Sequence, residues 1–533
     1  MEDEFTMPGP DLVYGFRVRI GTEGRPGGGP GGHSEPGSAP RFAVRGTHVP
    51  VHDGTAYPLW SGTAVTLGRP PVLVADGQVR LLLAGELYNR AELTGALGGS
   101  SAALGDAELL LAAWRRWGPG AFRLLNGRFA ALLTDASTGA TVAATDHAGS
   151  VPLWLRADVT GLSAATEAKT LAHEPGRPLG LSGTHTAPGA AGVCRVPAGT
   201  ALLLHGVGGS DITARAVRTW TPPLSRALPG EREAVDLVGE RLATAVRTRL
   251  RGGEAAPTVV LSGGIDSGGV AAHTAALAPG TRSVSMGTEV SDEFDAARSV
   301  AVHLGTAHSE IRLHSAELVR ELPWAVAAAE ITDPTVLEYL LPLVALYRRL
   351  DTGPLRILTG YGADIPLGGM HRRTASLWSL DDEIAGDMAG FDGLNEMSPV
   401  LAGIAGKWTT HPYWDRAVLD ALVSLEPGLK RRRGTDKWVL RQALSGLLPA
   451  ETVARPKLGI HEGSGTTSAW TGLLLAEGIR RDEVTAVKGA MARRLYDAVV
   501  IDTVPPEDVD FGETVRRSVD AVRRLRLQGR VVV

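Results

Sequence analysis

The chain opens with runs in which apolar positions alternate with polar ones. "LVYGFRVRI" (Leu12 to Ile20) and "RFAVRGTHV" (Arg41 to Val49) keep that period. "VRLLLAGELY", "GRFAALLTD", "TVAATDH", "VPLWLRAD" and "GTALLLH" follow as short strand-like runs. Alternation and short apolar runs between turn residues predict β-strands. "GDAELLLAAWRRWG" (Gly105 to Gly118) interrupts them, with an acidic start and a glycine stop that predict a helix. The first ~200 residues therefore read as a β-rich α+β domain. Gly21 to Pro40, "GTEGRPGGGPGGHSEPGSAP", has too little apolar content to offset ordering entropy and predicts a flexible surface loop.

Near Thr219 the pattern changes. "TWTPPLSRALPGE" is a proline-marked linker, and "EREAVDLVGERLATAVRTRL" sets Val235, Val238, Leu242 and Val246 on one helical face. "TVVLS", a glycine turn and a helix come next, followed by "TRSVSMG", a helix through "DEFDAARSVAVHLG", and "HSEIRL". Strands alternating with helices predict an α/β domain with a largely parallel sheet. The rest, to about Arg480, reads as mostly helical. The predicted domains are 1–218 and 219–533, without internal repeats.

Composition narrows the function classes. The 533 residues are 44% hydrophobic and 21% charged, with a net charge of −4. No basic surplus points to nucleic acid, and "KRRRG" (Lys430 to Gly434) reads as a solvated helix end. The one cysteine, Cys194, excludes intrachain disulfides and multi-cysteine metal sites. The acidic N-terminus lacks the apolar core of a secretory signal, and no apolar run is long enough to span a bilayer, so a cytoplasmic location is expected.

The candidate chemistry starts at "VVLSGGIDSGG" (Val259 to Gly269). A glycine-rich turn from strand to helix presents backbone N–H groups where the helix dipole favours an anion. Ser262, Gly263, Gly264, Asp266 and Ser267 supply two glycines, two hydroxyls and a carboxylate. The lysine of a Walker motif is missing, so a P-loop kinase or motor is excluded. Asp266 is a candidate Mg²⁺ ligand. Taken alone, the loop fits an ordinary Gly-Gly turn capped by Ser or Asp equally well.

The motifs beyond the loop resemble asparagine synthetases. "FRLLNGRFAALL", "VAATDHAGSVPLW" and "ATEAKTL" look like their N-terminal domain, and "EFDAARSVAVHLGTAH", "LTGYGADIPLGG" and "TDKWVLRQAL…LPAETVARPKLG" like their synthetase domain. The resemblance spans nearly the whole chain. It implies an N-terminal sandwich of the Ntn-hydrolase type and a C-terminal parallel sheet of the ATP-pyrophosphatase (adenine-nucleotide α-hydrolase) type, with ATP cleaved to AMP and pyrophosphate. The glutamine-dependent members make ammonia with a cysteine exposed once Met is removed, but position 2 here is Glu2, and Cys194 reads as a small core residue. The N-terminal domain is therefore expected to be a catalytically dead amidotransferase fold. The attacking nitrogen must come from elsewhere, and a substrate carrying both carboxylate and amine would close to a lactam, helped by ~7–11 kcal/mol where both ends are held in reactive geometry.

Such an attack needs a base for the amine proton. Asparagine synthetases carry Glu where this chain has Tyr361, and Glu-Leu where it has Ile365-Pro366. A phenol with a pKa near 10 is a poor base alone, and Glu396 in "FDGLNEMSPV" is the candidate carboxylate to orient it. Lys457 in "VARPKLGIHEG" is the candidate for stabilising the oxyanion and the departing phosphate. Asp364 is the candidate second Mg²⁺ ligand, and Lys437 a candidate phosphate contact. Singly, each has a bland reading: a half-buried tyrosine, a helix-start acid, a surface lysine.

"LTGYGADIPLGGMHR", "FDGLNEMSPVL", "HPYWDR" and "RPKLGIHEGSGTTS" resemble the β-lactam-forming branch of the family, which acts in clavulanic acid-type pathways. That resemblance implies N2-(2-carboxyethyl)-L-arginine as substrate, deoxyguanidinoproclavaminate as product, and ATP with Mg²⁺. It implies Tyr361 and Glu396 as the base dyad, Lys457 in ring closure, Tyr339 and Gly362 in the substrate pocket, and Asp387 facing the guanidinium. Leu261, Ser285, Met286 and Gly360 would line the nucleotide site. Carbapenam-type closure of carboxymethylproline, an ammonia-using asparagine synthetase, a lasso-peptide cyclase and a nucleic-acid-modifying pyrophosphatase are the alternatives. Tyr361 speaks against the second, the Tyr, Glu and Lys set against the third, and the acidic balance and missing cysteines against the last. A homodimer is compatible with the sequence.

Overall fold

The structure of the protein is a computed structural model. It describes residues 10–22, 41–54, 58–99, 104–173, 179, 186–209, 212–223, 229–251, 254–350, 355–371, 376–391, 397–456 and 458–527. Two antiparallel six-stranded sheets form the N-terminal half. One runs from Cys194–Arg195 through Trp154–Asp158, Gly161–Ala165, Leu12–Gly21 and Leu59–Leu67 to Thr47–Asp53. The other runs from Thr213–Arg218 through Thr200–His205, Ala140–Thr145, Gly127–Asp135 and Val79–Leu87 to Val74–Asp76. "RFAVRGTHV" does not extend from its start: its strand begins only at Thr47. The Gly-rich run 23–40 lies outside the described residues.

Period two decides how the sheets stack. Along Val79–Leu87, Leu82 and Ala84 point into the core between the sheets with Phe16, Val18, Trp60 and Leu132. Val79, Leu81 and Leu83 point the other way, under Leu110 and Trp114 of the helix Asp106–Trp117. Successive side chains of a strand face opposite sides, so a strand covered on both faces reads as one continuous apolar run. Cys194 lies in this sandwich, buried, its thiol directed at Leu155 O at 3.6 Å.

The C-terminal half carries a five-stranded sheet, all of whose pairings are parallel. Its order is Ala307–Leu313, Arg282–Thr288, Thr258–Val260, Arg356–Leu358 and Trp408–Thr410. The helix Glu231–Arg249 buries Val238, Leu242 and Val246, with Val235 at the margin. The helix Phe511–Leu527 at the C-terminal end packs Val515, Val519 and Val522 into the core. "KRRRG" is not a solvated helix end. Lys430 is fully buried with its ammonium on Val423 O at 3.1 Å, and Arg431 pairs with Asp436 at 2.6 Å. A lysine can enter a core when its charge finds a carbonyl at the end of a long apolar stem.

The two halves share one seam of buried polar contacts. Arg356 in the parallel sheet pairs with Glu86 of the sandwich at 2.8 Å and with Glu254 at 2.6 Å. Trp408 Nε1 donates to Glu86 at 2.8 Å, and Arg251 reaches Asp106 at 2.7 Å. Burial pushes the Glu86 carboxyl up, but the charges of Arg356 and Arg251 and the hydrogen bonds from Arg356 and Trp408 outweigh it, bringing it down from 4.5 to about 2. Tyr14 donates its hydroxyl to the carbonyls of Pro399 and Lys407. Arg128 donates to Met397 O and to Thr409 Oγ1. No helix among the described residues is long and apolar enough to cross a membrane.

Candidate active site

The site lies beyond the carboxyl ends of the central parallel strands, where open α/β sheets bind ligands. Thr258–Val260 runs into Leu261 and Ser262, and the helix Ile265–Leu277 starts after Gly264. Gly263 has φ +71° and packs against the backbone of Ala296 and Ala297, where a Cβ would overlap. Ser267 Oγ lies 3.1 Å from both the Ser262 N–H and the Ser262 hydroxyl, closing the loop on itself. Leu261 N–H is already given to Val284 O at 2.8 Å. Ser285 and Met286 sit on the neighbouring strand, and the Ser285 hydroxyl meets His308 Nε2 at 3.1 Å.

A second loop, from Thr359 to Asp364, runs alongside. At Gly360 a Cβ would overlap the Ser267 main chain, so the two loops touch backbone to backbone. Gly362, at φ +94°, faces the Trp414 indole, which occupies the space a side chain would need. Tyr361 between them is half-buried, with its N–H 3.3 Å from Thr359 Oγ1 and its ring 5.6 Å from that of His411. His411 in turn lies 2.7 Å from Thr359 Oγ1. Burial, with the nearby Arg128 and Arg249 charges, holds this imidazole well below its ordinary pKa, so it is neutral at pH 7.

Asp266 and Asp364, one from each loop, converge on Lys437. Its ammonium lies 2.6 Å from Asp266 Oδ2 and 2.5 Å from Asp364 Oδ1. Lys437 is thus brought to the phosphate loop, though it meets carboxylates there. Tyr413 donates to Asp266 O at 3.2 Å, and burial together with both carboxylates holds its phenol well above the usual range.

Glu396 and Lys457 lie outside the described residues. The flank of Lys457 is tied to the site. Arg455 donates to Ser262 O at 3.1 Å and pairs with Glu293 at 3.0 Å. Arg441 donates to the carbonyls of Val453 and Arg455. Asp387 pairs with His371 Nε2 at 2.6 Å, and Glu383 stands 3.2 Å from the other ring nitrogen. Tyr339 packs edge-on to His461 at 4.2 Å. Arg455, Arg441, His411 and Trp414 are not apparent from sequence reasoning, although "ARPK" and "HPYWDR" carry three of them.

The asparagine synthase family matches residues 237–402 and 405–503, and the glutamine amidotransferase domain matches residues 63–185. The carboxyethyl-arginine β-lactam synthase of Streptomyces clavuligerus is 50% identical over 505 residues, covering 93% of this chain and 96% of that one. The chain belongs to the asparagine synthase family, in its β-lactam synthase branch. Asparagine synthetase B of Escherichia coli K12 is 25% identical over 435 residues, covering 75% of this chain and 73% of the relative. A glutamine-hydrolysing asparagine synthetase of Oryza sativa subsp. japonica is 24% identical over 428 residues, covering 75% and 68%.

Membership makes this β-lactam synthase-branch protein an ATP-dependent ligase that forms C–N bonds. An amidotransferase-like half and a synthetase half with a parallel sheet are what the family brings.

Proposed function

We propose that this enzyme adenylates the β-amino-acid carboxylate of N2-(2-carboxyethyl)-L-arginine and closes it to the β-lactam deoxyguanidinoproclavaminate, releasing AMP and pyrophosphate. The observation that carries this reading is the 50% identity, over 93% of the chain, to a synthase named for that substrate. The buried state of Cys194 agrees with it, because a thiol inside the sandwich is no ammonia-generating nucleophile.

Asp266 and Asp364 fit Mg²⁺: two hard carboxylates from adjacent loops, with the remaining ligands left to phosphate and water. When bound, the ion would neutralise charge on the ATP phosphates. The loop 262–267 cradles the phosphates, with Ser285 and Met286 toward the nucleoside. The substrate carboxylate attacks the α-phosphorus and pyrophosphate leaves. The secondary amine then attacks the acyl carbon, its proton passing to the Tyr361 oxygen as Tyr361 gives its own proton to the Glu396 carboxylate, and the C–O bond to AMP breaks. Lys457 stabilises the oxyanion and the leaving phosphate. Asp387 takes the guanidinium, since a carboxylate has lone pairs enough to serve it beside His371, and Tyr339 and Gly362 shape the pocket. Residues 1–218 act as an inactive amidotransferase-like support for the synthetase domain, 219–533. The enzyme works in the cytoplasm, as a monomer or homodimer and without nucleic acid.

The test is mass spectrometry of full-length protein with ATP, Mg²⁺ and carboxyethyl-arginine. Loss of one water from the substrate with stoichiometric AMP is expected. No turnover, with carboxymethylproline consumed instead, would move the assignment to carbapenam-type closure.

A further inference from the structure

Two carboxylates brought together in a largely buried pocket, with Asp364 21% exposed, need a cation. Asp266 and Asp364 each place an oxygen on the Lys437 ammonium, at 2.6 and 2.5 Å, so the two oxygens are no more than about 5 Å apart. Lys437 is 1% exposed and Asp266 6%. The seat is built for this ammonium. Lys437 takes a left-handed backbone, φ +56°, directly before the helix Trp438–Leu444, which fixes the root of its side chain. Gly369 leaves the room: a Cβ there would overlap Asp364 Oδ1 and stand 2.7 Å from Lys437 Cε.

A Mg²⁺ ion bound by the same two carboxylates would need the volume the ammonium fills, at oxygen distances of about 2.0–2.1 Å. Resting on the reading of Asp266 and Asp364 as metal ligands, we infer that Lys437 is the resident counter-ion of the metal-free site and yields its seat only when the metal arrives with nucleotide. Electrostatics sets the order. Free Mg²⁺ would have to evict a buried ammonium from both of its carboxylates at once, which is costly. With ATP in the loop, the evicted ammonium swings on its four-carbon stem to the phosphates, three donors against several acceptor oxygens. The lysine thus holds the two carboxylates together before substrate binds, keeps out bare divalent cations, and is a phosphate ligand afterwards.

The test reads Mn²⁺ binding to the full-length protein by EPR, without nucleotide. Wild type is expected to bind weakly, and Lys437→Gln, which keeps a donor but no charge, to bind about tenfold tighter or more. Equal or weaker binding by a variant whose circular dichroism matches wild type overturns the inference. Wild type supplies a second measurement that needs no variant. Its Mn²⁺ affinity should rise at least about tenfold with a non-hydrolysable ATP analogue, and equal affinities overturn the inference. Asp266→Asn and Asp364→Asn separate the two levels: if neither weakens Mn²⁺ binding in the presence of the analogue, the metal assignment itself fails.

Discussion

Glu86→Gln removes one charge from the seam and almost no volume. Glu86 is buried with Arg356 at 2.8 Å and Trp408 Nε1 at 2.8 Å. Holding its carboxyl at about 2 rather than 4.5 corresponds to roughly 3 kcal/mol in favour of the charged form. Taking one partner from a buried pair costs ~3–5 kcal/mol, and Arg356 keeps Glu254, so the low end is expected. Unfolding entropy near 2.1 cal/mol/K per residue makes that a drop of about 3 °C in melting temperature if the chain unfolds as one unit. Differential scanning calorimetry reads it directly. The folded pKa is depressed, so the contribution is complete above 4.5 and disappears as pH falls toward about 2. The gap between wild type and variant should close across that window. The double variant Glu86→Gln/Arg356→Met should lose less than the sum of the two single losses. A single-variant shift under about 1 °C at pH 7, or strict additivity in the double variant, would refute the reasoning.

Tyr361→Phe should abolish lactam formation while ATP–pyrophosphate exchange partly survives; equal loss of both would count against a base role. Lys457→Ala should stop product formation in the same assay, and wild-type turnover would remove it from the mechanism. Gly362→Ala forces a Cβ into the Trp414 indole at φ +94°, so activity should fall about tenfold or more, and near-normal rates would show that the loop can yield. Burial pushes the Cys194 thiol up, so native protein should resist alkylation at pH 7.5 until denaturant is added, as followed by mass shift; rapid native labelling would contradict the sandwich core.

What the sequence made legible was local. Period-two runs gave strands, and the acidic start and glycine stop gave the helix Asp106–Trp117 within a residue of each end. The glycines of "SGGIDS" marked a place where backbone must turn and approach closely, and Gly263 does both. Pairings across the chain were not legible. Glu86 and Arg356 are 270 residues apart and neither shows its partner in its own neighbourhood. Lys430 illustrates the same limit, because a basic run looks solvated until a carbonyl such as Val423 O is placed at its tip. Lys437 shows it too, because the sequence placed it near the loop but could not show two aspartates meeting around it.

The grip of Tyr14 and Arg128 on the carbonyls of Pro399, Lys407 and Met397 bears on how such a chain can evolve. An amidotransferase-like domain could lose its chemistry by changing one residue, at no cost to the partner domain. It cannot then be discarded as a domain, because the synthetase half would be left with unpaired carbonyls and with Arg356 short of one of its two carboxylates. That grip bars gene shortening. Descendants of this architecture should therefore keep the sandwich and its seam residues whether or not the sandwich has chemistry of its own.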